Sequence, residues 1–197
     1  DMTSSRGLGD VYKRQINLYA FKAIYLHEMD RFRRTLTQSV LSPVLTTSLY
    51  FIVFGSVIGG YVEKIDGISY GSYIVPGLLM LTLLTQSISN TSFGIFFPKF
   101  NGTIYEILAA PISTLEVVLA FVGAGATKTL IVSIIIFITS LFFVDVQVKY
   151  PLLMIFLLIL VAFTFALFGF LIGLISSDFE QMSIIPTLFV TPMVFLG

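Results

Sequence analysis

Residues 151–175 read PLLMIFLLILVAFTFALFGFLIGLI, a run without a single charged side chain. A helix needs about 20 apolar residues to cross the hydrocarbon layer of a bilayer. Within lipid, a helix satisfies its own backbone donors and acceptors, which an open strand does not. The stretch therefore reads as a membrane-spanning helix. Working back from it, a second run lies within Leu115–Val144 (about 116–143), a third covers Gly71–Phe97 and closes at Pro98, and a fourth covers Gln38–Gly60. Forward of it, residues 183–197 begin a further run that reaches Gly197, the last residue. That final run corresponds to only about 22 Å of helix, so the expectation is a span whose remainder lies beyond residue 197. The fold class is all-α and polytopic, with spans at 38–60, 71–97, 116–143 and 151–175 and an incomplete one at 183–197.

Composition agrees. Over 197 residues the hydrophobic fraction is 56%, the charged fraction is 11% and the mean hydropathy is +0.97, whereas soluble domains carry about 25% charge. A water-soluble monomer is excluded on this ground, and with it nearly every reading as a soluble enzyme. Eleven basic residues balance eleven acidic ones, so no overall field draws in nucleic acid. Cysteine is absent and His27 is the only histidine, which removes disulfides, thiolate chemistry and multi-histidine metal sites.

Eleven of the 22 charges fall in the first 37 residues. Of these residues, 1–15 have no apolar period, and their end, GLGDVYKRQ, resembles translated sequencing adapter. They are treated as a non-native leader. From Ile16 to Thr37, the residues Leu18, Phe21, Tyr25, Met29, Phe32 and Leu36 recur at helical spacing with Lys22, Asp30, Arg31, Arg33 and Arg34 mostly off the stripe. A basic amphipathic helix of this kind suits a membrane interface, with Arg31, Arg33 and Arg34 as anchors. Placing the N-terminus in the cytoplasm puts Lys22, Arg31, Arg33, Arg34 and Lys99 inside and only Lys64 and Lys149 outside, as the distribution of basic residues around spans requires.

Inside the spans, chemistry is sparse. GAGATKT at 123–129 lacks the glycine that a phosphate loop places directly before its lysine, and it follows no strand. Lys128 stands alone in an apolar run. An intramembrane cation is a candidate functional group, and here it faces either a substrate path or a structural partner (an ion pair, or head groups reached by snorkelling). Thr82, Thr85, Gln86, Ser89 and Asn90 form a polar band, which either bonds neighbouring helices or lines a path, with Gln86 and Asn90 as lining candidates. Small residues recur four apart at Gly55 and Gly59, Ala162 and Ala166, and Gly169 and Gly173, marking close helix contacts within or between subunits.

The loop PKFNGTIYEILAAPISTLE at 98–116 is the informative one. Asn101-Gly102 reads as a turn, Thr103–Ala109 as a short helix stopped by Pro111, and Ser113 or Thr114 as the cap of the next helix with Glu116 in its first turn. Together with DRFRRTLTQSVLSPVL, YIVPGLLM and SNTSFGIFFPKFNGTIYEILAAPISTLEVVLAFV, it resembles the permease subunit of ABC type-2 exporters, from about residue 16 to the C-terminus.

The resemblance implies a six-span fold, of which this chain would lack the end of the fifth span, the outer re-entrant region and the sixth. It further implies a multi-pass permease of the bacterial cytoplasmic membrane that has no catalytic site of its own. Such a permease pairs with a second permease, an identical copy or a related one, and with two copies of a separate ATPase subunit, which holds the ATP and Mg. The family's coupling helix matches Asn101–Pro111, making Asn101, Thr103, Tyr105, Glu106, Leu108 and Pro111 contact candidates, and Lys99 would join the arginines in anchoring interfacial elements. The alternatives are a channel working without ATP and a polytopic membrane enzyme. The channel needs a converging pore lining, and the enzyme a catalytic constellation that the spans do not offer.

Overall fold

The computed structural model describes residues 18–61, 67–146 and 148–196. The leader at 1–15 and the outer-loop charges Glu63, Lys64 and Asp66 lie outside the described residues.

The amphipathic stretch forms α1 (Leu18–Arg34), and the first span follows almost without a gap as α2 (Leu36–Tyr50). The break falls at Thr35, whose backbone leaves the helical region (φ −106°, ψ 13°). Its hydroxyl donates back to the carbonyls of Arg31 and Phe32 at 3.2 and 3.3 Å. Such back-bonding satisfies carbonyls that a helix end leaves open. The rest of the first span, expected as one α-helix, is a π-helical segment over Phe51–Ile58. There Gly55 lies against Gly71, whose added Cβ would sit 3.5 Å from the Gly55 Cα.

The second span is α3 (Tyr70–Phe100), which continues past the expected stop at Pro98. A proline this close to a helix end costs one backbone bond, and the helix closes beyond it through Asn101 N to Phe97 O at 3.0 Å. Gly102 then takes φ +80°, a left-handed turn that glycine adopts without steric cost. The short helix α4 (Ile104–Ala109) and the third span α5 (Thr114–Phe143) follow. α5 opens with a reciprocal cap: Ser113 N donates to the Glu116 carboxylate at 2.9 Å and Glu116 N donates to the Ser113 hydroxyl at 3.3 Å. The last two helices are α6 (Pro151–Ile175) and α7 (Phe179–Leu196). Among the described residues, four helical stretches are long and apolar enough to cross a membrane: Leu36–Gly55, α3, α5 and α6.

Helix α3 is the hub. Lipid tails are as apolar as leucine, so helices in a membrane associate by close packing rather than by hydrophobic burial. The small residues provide it. A Cβ on Gly169 would meet the Ile88 carbonyl at 2.5 Å, and one on Gly173 the Ser92 carbonyl at 2.5 Å, so α6 lies backbone to backbone on α3. On its other side, Thr91 fills the space where a Gly125 side chain would stand, seating α5. These small-residue surfaces are thus used within the subunit. α7 reaches α3 through Phe179, edge-on to Phe96 and Phe100 with ring centroids 4.9 Å away in both cases.

Candidate functional site

Three arrangements concern function: the α3–α5 connection, a buried charge cluster, and a cleft beside it. In the connection, no residue of α4 is buried. Ile104 and Ile107 pack against the core cluster containing Phe121 and Val122, which also receives Ile24 of α1 and Val117 of α5. The opposite face presents Tyr105, 73% exposed, and Leu108, 68% exposed, with Glu106 between them. Asn101, Thr103 and Pro111 are exposed at its two ends. The Lys99 ammonium donates to the Leu174 and Ser176 carbonyls at 2.6 and 2.8 Å. It therefore satisfies the open C-terminal carbonyls of α6 at the root of the same connection.

Lys128 lies 2% exposed and pairs with the Glu28 carboxylate at 2.7 Å. Arg31 reaches the same Glu28 oxygen at 2.7 Å and lies over the Phe93 ring, 5.2 Å from its centroid. Burial draws the Arg31 guanidinium below its ordinary value, and the adjacent Glu28 charge opposes that shift. Arg31 thus differs from Arg33 and Arg34, which are exposed: it turns inward. One turn along α1, the Tyr25 hydroxyl donates to Thr127 at 3.0 Å, so α1 is tied to α5 at two levels.

Sequence reasoning passed over Glu28. The signal was present, because Phe21, Tyr25, Glu28 and Phe32 step by 4, 3 and 4. A carboxylate on the seam of an amphipathic helix is a natural partner for a lone cation in a span.

The polar band of α3 divides in two. Thr82 and Thr85 donate to carbonyls of α3 itself (Leu78 and Leu81, both 2.9 Å), and Asn90 donates to Gln86 at 3.3 Å. These bonds run within one helix, not between helices as the packing alternative supposed. Thr85, Ser89 and Asn90 face a cleft of about 720 Å³ bordered by α1, α2 and α7, while Gln86 faces a smaller crevice beside Thr46 and Tyr50. Lys128 and Arg31 also line the larger cleft. Among the described residues, no group of histidine, cysteine, aspartate and glutamate could hold a metal ion.

With this architecture in place, comparison with known proteins decides the family. The model for ABC-2 type transporters matches residues 19–197. The chain belongs to the ABC-2 type transporter family. It is 38% identical over 178 residues to the inner membrane transport permease YadH of Escherichia coli K12, covering 90% of this chain and 70% of that protein. The YadH permease of Shigella flexneri matches to the same extent. Nodulation protein J of Azorhizobium caulinodans is 21% identical over 181 residues, covering 91% of this chain and 71% of that one. No solved structure matches. The ABC-2 chain is therefore a multi-pass transmembrane permease of an ABC transporter, and its helical spans are the family's permease helices.

Proposed function

We propose that this permease is the membrane half of an ATP-driven exporter of the bacterial inner membrane. It docks a separate ATPase through the α3–α5 connection, with that connection and the N-terminus in the cytoplasm. In this reading two permease copies enclose the path and two ATPase subunits bind beneath them. ATP and Mg reside on the ATPase, and its closure drives the permease between access states.

The observation that carries the reading is the two-sidedness of α4. Ile104 and Ile107 root it in the core, while Tyr105, Glu106 and Leu108 stand exposed between two spans. A rooted element with an aromatic and an aliphatic side chain facing outward transmits a push, which a flexible linker does not. Its position at the Asn101–Pro111 match to the family's coupling helix supports the assignment, and the excess of basic residues on the same side supports the orientation.

The test is co-purification of the full-length permease with the ATPase encoded beside it. Wild type should retain the ATPase. Glu106→Arg, or removal of residues 101–111, should abolish retention while the permease stays in the membrane fraction. If wild type holds no ATPase, the docking assignment fails.

A further inference from the structure

The cleft beside the charge cluster has an electrostatic asymmetry that neither the fold nor ATPase docking requires. Among the described residues its walls include two cations, Arg31 and Lys128, and no aspartate or glutamate. Glu28, which neutralises one of the two, is 2% exposed and does not line the cleft. The cluster as a whole carries one net positive charge in a setting of low dielectric, where an uncompensated charge is costly.

The donors are also incompletely used. Of the five N–H donors of a guanidinium, Arg31 engages Glu28 through one nitrogen only. Lys128 spends one contact on Glu28. The exposed Gln38 side chain borders the same space and has no side-chain partner among the described residues. The lining also includes the polar Ser39, Ser89 and Asn90 and the apolar Phe93, Pro186 and Val190. A volume of about 720 Å³ suits a molecule of lipid head-group or small-amphiphile size.

The geometry points to this cleft as a binding site for the anionic group of an amphiphile, a phosphate or carboxylate held by Arg31, Lys128 and Gln38 with its apolar body running toward Pro186 and Val190. The site needs no ATPase, so its test and the docking test fail independently. The ligand is either an anionic lipid of the surrounding bilayer or an acidic molecule whose head group is recognised without its tail.

The experiment uses the full-length permease without its ATPase, reconstituted in phosphatidylcholine nanodiscs containing a minor fraction of phosphatidylglycerol. Lipid retained after transfer to detergent is read by native mass spectrometry. A parallel arm adds inorganic phosphate and follows thermal stability. Arg31→Gln removes a ligand, and Ser89→Asp places a carboxylate in the cleft without touching Glu28 or Lys128. Ser89→Asn controls for bulk. Wild type and Ser89→Asn should retain phosphatidylglycerol over phosphatidylcholine, and Arg31→Gln and Ser89→Asp should lose that preference by roughly tenfold or more. Retention that phosphate does not displace identifies a lipid site. Stabilisation by phosphate alone, lost in the same two variants, identifies head-group recognition without the tail. Equal retention of the two lipids by wild type with no response to phosphate overturns the proposal, as does a preference that Ser89→Asp leaves intact.

Discussion

Glu28 of the amphipathic helix and Lys128 of the third span, 100 residues apart in sequence, meet at 2.7 Å with each side chain 3% exposed. The bond fastens α1 to the membrane domain. Removing one partner of a buried pair leaves the other charge stranded, which costs about 3–5 kcal/mol. Glu28→Leu should therefore lower the melting temperature of the purified permease sharply, because both Lys128 and Arg31 lose their counter-charge. Lys128→Met combined with Glu28→Leu should recover the share due to Lys128, leaving that of Arg31, whose side chain is 22% exposed. A double variant as unstable as the sum of the two single ones would show that the groups do not act as a pair.

The contact of α6 on α3 depends on the absence of side chains at Gly169 and Gly173. Gly169→Val would drive a methyl into the Ile88 backbone, 2.5 Å from the position of an added Cβ, and backbone yields less readily than a flexible side chain. Its cost should be at the upper end of overpacking, about 3 kcal/mol, read as lost monodisperse protein on size exclusion and a lowered melting temperature. Gly77 of α3 has nothing within 4 Å of its added Cβ, so Gly77→Ala should be neutral or slightly stabilising.

Ser113 and Glu116 close the N-terminus of α5 reciprocally. Ser113→Ala should cost about 1 kcal/mol. The effect should be local: hydrogen exchange should speed up over residues 113–118, directly after α4, and stay unchanged in α6.

Lys99 holds the Leu174 and Ser176 carbonyls from the far side of the α3 end. Lys99→Met should free the α6 C-terminus, raising protease cleavage at 174–178 several-fold, while Lys99→Arg retains part of the protection. If α4 docks the ATPase as proposed, the same change in the complete transporter should weaken coupling between ATP hydrolysis and transport more than it weakens ATPase retention, because α4 keeps its exposed face.

How much of this was legible in the sequence depended on the range of the interaction. The spans follow from one-dimensional quantities, run length and absence of charge, so residues 151–175 were found with their ends intact. The capping box and the Asn101-Gly102 turn involve residues three or four apart and were equally readable. Pro98 misled, because a proline signals a stop while the helix end lies wherever the carbonyls find partners. The π-helical segment at Phe51–Ile58 had no one-dimensional signature.

The site divides along the same line. The sequence by itself determined that Lys128 is an isolated cation in a span and that a polar band runs along α3, since both are properties of single helices. Only the tertiary structure decided that Glu28 is the partner of that cation, that the threonines of the band bond within their own helix, and that Arg31 faces inward where Arg33 and Arg34 face out. Those outcomes depend on the rotation and depth at which α1 packs on α5. Packing of this kind is fixed by contacts between residues about a hundred positions apart, such as Tyr25 with Thr127; the local spacing places Glu28 on the seam of α1 but does not say which residue of which span it meets.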